Sequence, residues 1–520
     1  MADSQQPAAP GPASERSHGQ ILKSSVIIGG SSLFNVGFSV VRMKVLALLL
    51  GPSGVGLLGL YTSIADVVRS MAGLGINNSG VRQIAEAVGS GDMRRVARTV
   101  TTLRRVAVFS GALGGILLAA FSGPVARLTF GDEQHAPWVA LVGLVVFFMD
   151  VAAGQGALLQ GMRRIGDMAR ISVLGAISGT VCSIGIVYIY YRHGAAEQGV
   201  VPALVCVAAL GSLASWWYAR KIKVDRTPLT LQEFSQETKA LLQLGLVFMS
   251  TTLMSMGMAY LIRIILCHQL GVAAAGHYQA AWALSGFFIA FIVQAMGADF
   301  YPRLTAVAAD NAECSRLVNE QVEVGLLLAG AGVVATLTLA SWVIAIFYTA
   351  EFAPAVEVLR WMSLGMLLRV ACWPMGFILV AKGAGKLFFW TEVASSLIQV
   401  GLVWGGVRWF GLTGTGIAFF GLYAVYFVGI YLIVNRLYGF RWSAANGRLA
   451  RLFVPLVAGV FVGPYLLPAT AAMILGGVAT VFLAVHALRT LGSLIPQGKL
   501  PSTVQKILKR LGFAAAKTDS

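Results

Sequence analysis

Nine side chains in this sequence combine ionisable chemistry with apolar surroundings: Arg42, Lys44, Asp66, Arg69, Asp150, Arg263, Asp299, Arg369 and Glu392 all sit inside long hydrophobic runs. A charge at the centre of a hydrocarbon layer costs at least about 2.5–3.5 kcal/mol on insertion scales, so such groups normally face a cavity, water or a partner. Five of the nine are cations, and a desolvated guanidinium or ammonium binds phosphate oxygens strongly. A cavity collecting Arg42, Lys44, Arg69, Arg263 and Arg369 would therefore suit an anionic cargo. The four acids suggest a second chemistry. A carboxylate held away from water can carry a proton or coordinate Na⁺, so Asp66, Asp150, Asp299 and Glu392 are candidates for coupling transport to H⁺ or Na⁺, and equally for paired structural acids.

Each position has a plainer alternative. Arg42 and Lys44 lie about 12 Å and 9 Å from the end of their run at 1.5 Å per residue, a depth from which long side chains can snorkel to the interface. Arg263 occupies the equivalent depth in a later run. Asp66 and Arg69 are three apart, share a helical face and can neutralise one another. Arg369 lies near the middle of SLGMLLRVACWPMGF, where neither end is within easy reach. Pro374 and Gly376 follow it, and Pro permits a kink that serves as a hinge or a static bend. Tyr278, Trp282, Phe287, Phe288, Trp361 and Trp373 could stack on sugar rings, or simply pack or anchor at the interface. His268 and His277 flank a turn with no further ligands in reach, so no metal site is expected.

The elements that must position these groups follow from composition. Of 520 residues, 57% are hydrophobic and 12% charged, which excludes a water-soluble protein. A spanning helix needs roughly 20 apolar residues, and fourteen such runs stand near 24–50, 54–80, 106–124, 137–160, 171–191, 200–219, 241–270, 273–301, 324–348, 359–381, 387–409, 415–435, 452–467 and 469–488. The expected fold is an all-α polytopic membrane protein. The net charge of +17 would suggest nucleic acid as partner in a soluble chain, but here its location matters more than its sum. Most Lys and Arg fall in loops on one face, with only Arg127, Arg192 and Arg408 opposite and Arg360 at a helix mouth. Basic loops stay cytoplasmic, so both termini are expected inside. Residues 1–20 read as a disordered tail rather than a signal peptide, 221–240 as a cytoplasmic linker, and 491–520 as a basic tail. The five cysteines suggest neither disulfides nor a metal site.

An internal repeat organises the runs. LGPSGVGLLGLY from Leu50 resembles LGVAAAGHYQAAW from Leu270, with Gly51 and Gly56 matching Gly271 and Gly276. LLQGMRRIGDMARISVLGAIS from Leu158 is followed at the same offset of 220 by ILVAKGAGKLFFWTEVASSLI from Ile378. The halves are then 21–220 and 241–436, six helices each, with two helices appended over 437–490. Parallel repeats of this kind mark secondary transporters, with the cargo held between the halves. No phosphate-binding loop occurs, since GAGKL at Gly383 lacks the spacing and the hydroxyl. Neither an Asp-x-Asp pair nor a large soluble loop is present, so the chain is not expected to be an enzyme.

The stretch VRMKVLALLLGPSGVGLLGLYTSIADVVRSMAGLGINNSGVRQIAEA from Val41 resembles the bacterial O-antigen translocases, the Wzx-type lipid-linked oligosaccharide flippases. The resemblance recurs in AGHYQAAWALSGFF from Ala275 and RWMSLGMLLRVACWPMGFILVAKGAGKLFFWTEVASSLIQV from Arg360, and covers roughly residues 21–436. It implies the multidrug/oligosaccharidyl-lipid/polysaccharide (MOP) exporter fold, two six-helix lobes and a cationic central cavity. It also implies undecaprenyl-diphosphate-linked oligosaccharide as cargo, moved to the periplasmic leaflet of the inner membrane, with a polysaccharide polymerase and chain-length machinery as partners. Lys44, Arg263, Arg369 and Lys382 fall where that family holds basic residues, and Glu392 where it holds an acid. Family members commonly stop at twelve spans. A total of fourteen is shared with the lipid II flippases, which keeps a lipid II-type flippase and a cation-coupled small-molecule exporter of the same superfamily as alternatives.

Overall fold

A computed structural model describes residues 12–222, 230–286 and 300–494. Phe287, Phe288 and Asp299 lie outside the described residues, as do 1–11 and the basic tail from 495 onward. The chain is a multi-pass helical membrane protein, with twelve helices among the described residues long and apolar enough to cross a bilayer. It divides into two compact units, one ending at His268 and the other beginning at Gln269.

The first unit contains α1 (Pro12–Ala72), α2 (Ile76–Gly89), α3 (Met93–Ala120), α4 (Ser122–Phe130), α5 (Ala136–Gly161), α6 (Ile165–Arg192), α7 (Val200–Ala219) and, through His268, α8 (Leu231–Leu270). Helix α1 covers the first expected span and most of the second, bending between them at Gly51 with φ 62° and ψ −171°. It begins at Pro12, inside the segment expected to be a disordered tail. Proline is favoured at the first helical position, and the Ala-Ser-Glu-Arg that follows supports helix. The second expected span does not run on to Gly80; Gly73–Gly75 breaks it and α2 starts anew at Ile76.

Residues 231–240, expected as linker, are already helix. Thr230 and Glu233 form a capping box: Glu233 Oε2 accepts from the Thr230 N–H at 3.0 Å, and the Glu233 N–H donates to Thr230 Oγ1 at 3.2 Å. Close backbone packing ties the unit together, as small residues allow in membrane helices. A Cβ built on Gly115 of α3 would stand 2.6 Å from the Gly143 carbonyl of α5. Helix α8 meets the α1–α2 break backbone to backbone, since a Cβ on Gly245 would lie 2.4 Å from the Leu74 carbonyl, and Ser79 Oγ donates to the Leu241 carbonyl at 2.8 Å.

The second unit contains α9 (Val272–Ser285), α10 (Tyr301–Ala306), α11 (Asn311–Phe347), α12 (Ala355–Ala381), α13 (Gly385–Phe410), α14 (Thr413–Tyr438), α15 (Ala444–Leu466) and α16 (Ala469–Leu494). The expected span 273–301 crosses undescribed residues. With the fusion of the first two spans into α1, this accounts for twelve counted helices against fourteen runs. The appended helices α15 and α16 pack on α11. Arg360, 4% exposed, fastens α15 to α12 by donating to the Phe461 carbonyl and pairing with Glu357 at 3.1 Å.

The repeat is visible in the backbone of each unit. Gly271, 220 residues after Gly51, precedes α9 with φ 85° and ψ 171°, nearly the conformation at Gly51 and one only glycine adopts without strain. Helices α5 and α12 end at Gly161 and Ala381, and α6 and α13 begin at Ile165 and Gly385, each pair at the same offset. In the turns between them Arg163 and Gly383 both have positive φ, 53° and 75°.

Candidate functional site

In the first unit, α1 and α5 carry the charges that sequence singled out. Asp66, Arg69 and Asp150 line one cavity of about 320 Å³, together with Ser70, Asn77, Asn78 and Gln160, and with Met249, Thr252 and Met256 of α8. Asp150 is 1% exposed, and neither of its carboxylate oxygens has a hydrogen-bond partner among the described residues. Two glycines leave it room: a Cβ on Gly111 would stand 3.0 Å from the Asp150 Cβ, and one on Gly73 3.3 Å from Oδ1. Ser70 Oγ and Asn77 Oδ1 are buried in the same wall, with no hydrogen-bond partner among the described residues. A buried polar atom left unpaired costs about 1–3 kcal/mol, so four such atoms around one hollow describe a surface built to bond something polar.

Arg69 acts electrostatically on both carboxylates, and Arg263 of α8 adds its charge at Asp66. Asp66 and Arg69 share a helical face as expected, but no ion-pair contact joins them among the described residues. Arg69 is instead shared between two acids. Arg263, 8% exposed, also donates to its own Ala259 carbonyl at 2.8 Å.

A second cluster lies in the second unit. The Arg369 guanidinium is bracketed by the rings of Trp373, at 5.7 Å, and Tyr423 of α14, at 5.9 Å, and its charge reaches Glu392 of α13. Tyr426 Oη donates to Glu392 Oε1 at 3.0 Å. Tyr423 and Tyr426 carried no sequence signal beyond their hydrophobic run; only the fold sets Tyr423 beside Arg369 and Tyr426 beside Glu392.

Other sequence candidates sit elsewhere. The Arg42 guanidinium lies against α6, where a Cβ on Gly179 would be 3.3 Å from Nη1. Lys44 is half-buried and is not in the lining of the polar cavity. Lys382 Nζ donates to the Ala308 carbonyl at 2.5 Å and rests over the Tyr438 ring at 5.1 Å. Of the aromatic candidates, Trp361 packs on Phe420 and Phe461, and Trp282 stacks beside Tyr278. His268 and His277 each meet a backbone carbonyl, of Leu128 and Glu351 respectively. No group of metal-ligating side chains occurs among the described residues.

Comparison with known proteins gives the family and the fold. A family model described as polysaccharide biosynthesis protein matches residues 45–357. The lipid III flippase of Escherichia coli (strain K12) is 24% identical over 430 residues, covering 80% of this chain and 99% of that protein, and the lipid III flippase of Shigella flexneri matches with the same figures. Among solved structures, the lipid II flippase MurJ in an inward closed conformation superposes with a TM-score of 0.64 at 12% identity, covering 90% of this chain and 99% of that one. An inward-facing multidrug resistance MATE family transporter of the MOP superfamily gives 0.61 at 18% identity, covering 78% and 95%. The fold is that of the MOP superfamily, and these relatives are named for transport, not for catalysis.

Proposed function

The chain belongs to the polysaccharide biosynthesis protein family, and from that premise we propose that it is a flippase for a polyprenyl-diphosphate-linked oligosaccharide. Alternating access carries the sugar-bearing headgroup from the cytoplasmic to the periplasmic leaflet of the inner membrane, with both termini cytoplasmic. The cargo is an undecaprenyl-diphosphate oligosaccharide for O-antigen or exopolysaccharide assembly, handed on to a polymerase and chain-length machinery. The observation that carries the reading is the polar cavity among membrane helices of the first unit. It offers a guanidinium, amides and unpaired oxygens together, the donor and acceptor set a diphosphate sugar requires. The lipid III flippase relatives support it.

Arg69 and Arg263 in the first unit and Arg369 in the second are proposed to contact the phosphates and proximal sugars. Arg42, Lys44 and Lys382 complete the proposed cationic set, with Arg42 lying against α6 and Lys382 on the Ala308 carbonyl. Asp150, Asp66 and Glu392 are the proposed acids through which H⁺ or Na⁺ couples to transport, and Asp299 stays with them on sequence grounds. A cation-coupled small-molecule exporter is the second reading, and the buried, unpaired Asp150 favours it.

A vesicle assay separates the two. Purified protein is reconstituted with fluorescent lipid-linked oligosaccharide, and headgroup access is followed by a membrane-impermeant quencher. Flipping by the unaltered chain, reduced at least tenfold in Arg369→Ala and in Arg263→Ala, is the expected result. Intact translocation in both variants would overturn the cationic mechanism, and no translocation by the unaltered chain would overturn the flippase reading.

A further inference from the structure

The α1 segment from Asp66 to Leu74 has two different walls. One is the polar cavity. On the other side Val68, Met71, Ala72 and Leu74 line a second hollow, of about 920 Å³ against about 320 Å³, whose far side is α3. From Arg105 this trough follows α3 through Phe109, Leu113 and Leu117 to Phe121. That is about 24 Å at 1.5 Å per residue, most of the roughly 30 Å of a hydrocarbon layer.

Small residues make its floor. A Cβ on Gly114 would stand 2.5 Å from that of Ala72, so α1 and α3 touch there while the larger side chains rise on either side. Met71, Phe109, Leu113, Leu117 and Phe121 are all exposed along it.

Charge is confined to one end. Among the described residues of the trough lining Arg105 is the one that carries a charge, and there Phe234, Thr238 and Leu242 of α8 close it. The same three side chains also line an adjoining depression that holds Lys239. The trough and the polar cavity meet at the helix break, where Leu74 lines the first and Gly73 and Gly75 the second. One end cationic, a long apolar run, and a polar cavity around the corner is the profile of an amphiphile with a single chain and a phosphate junction.

Resting on the flippase reading, we infer that this trough seats the polyprenyl chain of the lipid carrier, with its phosphate end at Arg105 and Lys239. A diacyl phospholipid fits less well, because two chains leave one glycerol whereas the trough is single and follows one helix. A seated chain also gives the protein a means of selecting its carrier, since many bilayer lipids present a phosphate in the head but few present one long branched chain.

The test uses the full chain in nanodiscs and a long-chain polyprenyl diphosphate without sugars as probe, with binding read by native mass spectrometry. Leu113→Trp fills the trough at a half-exposed position, while Ile116→Trp, on the same helix but outside the lining, is the control. The expected result is binding at least tenfold weaker in Leu113→Trp and within twofold of the unaltered chain in Ile116→Trp. A short-chain polyprenyl diphosphate is expected to bind the two alike, and excess phosphatidylglycerol is expected not to displace the long-chain probe. Leu117→Trp replaces Leu113→Trp if the latter fails to fold.

Equal effects at positions 113 and 116, or displacement by phosphatidylglycerol as effective as by unlabelled probe, would overturn the trough as a carrier site and leave it a surface for ordinary bilayer lipid. The vesicle assay keeps the two readings apart. Flipping by the unaltered chain together with unchanged probe binding in Leu113→Trp overturns the trough alone, whereas no flipping by the unaltered chain overturns the flippase reading.

Discussion

Helices α5 and α12 hold corresponding places in the two halves of the sequence repeat, yet they carry opposite charge at nearly the same position. Asp150 lies in α5, and Arg369, one residue before the repeat equivalent of position 150, lies in α12. Their surroundings differ as sharply. Asp150 lies against Gly73 and Gly111 in the cavity wall with no bonding partner among the described residues, whereas Arg369 is held between two aromatic faces and reaches an acid already bonded by Tyr426. A duplicated scaffold has kept its helix ends and turn geometry while its ionisable groups diverged. One half holds an acid in a polar hollow, the other a cation in an aromatic bracket. On the flippase reading proposed above, Asp150 would serve a coupling cation, while Arg69 and Arg263 of the first unit and Arg369 of the second would serve phosphate and sugar.

The sharpest way to break that division is Asp150→Asn, which keeps the shape and removes the charge. An unpaired buried carboxylate is costly, so its removal is expected to raise the melting temperature by several degrees, about 1–3 kcal/mol, while coupled transport is lost. Thermal unfolding and the vesicle assay on the same preparation check this. A lower melting temperature would instead make Asp150 a structural acid, and the contrast with Arg369 would lose its functional meaning.

A smaller effect is expected at the other pole. Arg369→Lys keeps the charge but loses the planar group that two rings bracket, and lysine presents a point charge without the guanidinium fork. Flipping is expected to fall about tenfold, equivalent to about 1.4 kcal/mol, with Tyr423→Leu close behind and little change in folding. If Arg369→Lys flips normally, charge alone matters at this site and the aromatic bracket is packing.

Most of the scaffold was legible in sequence because it is written in one dimension. Apolar runs, the offset of 220 and the glycines at 51 and 271 all depend only on position along the chain. The sites were legible in part, and the failures share a cause. Depth along a helix says how far a charge is from water, not which neighbour its face meets. Arg42 and Arg69 are both in the membrane by that measure, yet Arg42 turns to α6 while Arg69 turns to the cavity. Lys382 reads in sequence as a cargo ligand, and only the fold shows that its ammonium meets the Ala308 carbonyl. Arg360 looked like a residue at a helix mouth and is buried, because α15 covers it with the Phe461 carbonyl and a ring. The polar cavity needed α8 as a wall, and α8 belongs to the later half in sequence while it packs in the first unit.

That displacement of α8 offers the most delicate test, because it depends on where the helix begins. Its repeat counterpart α1 starts on a proline, whereas α8 starts on the Thr230–Glu233 box, with Arg98 of α3 3.4 Å from Glu233. The amide and hydroxyl of Thr230, and then Arg98, hold the Glu233 carboxyl below the usual range. A depressed folded-state value contributes stability that is fully present above the ordinary carboxylate range and is lost as pH falls through the folded-state value. Glu233→Gln keeps a capping side chain but cannot ionise. It is therefore expected to melt slightly below the unaltered chain at neutral pH, by no more than about 2 °C, and to converge with it in acid. Melting curves at neutral and acidic pH decide the point. A gap that persists in acid would mean that Glu233 acts by shape alone, and the start of α8 in the first unit would then owe nothing to its charge.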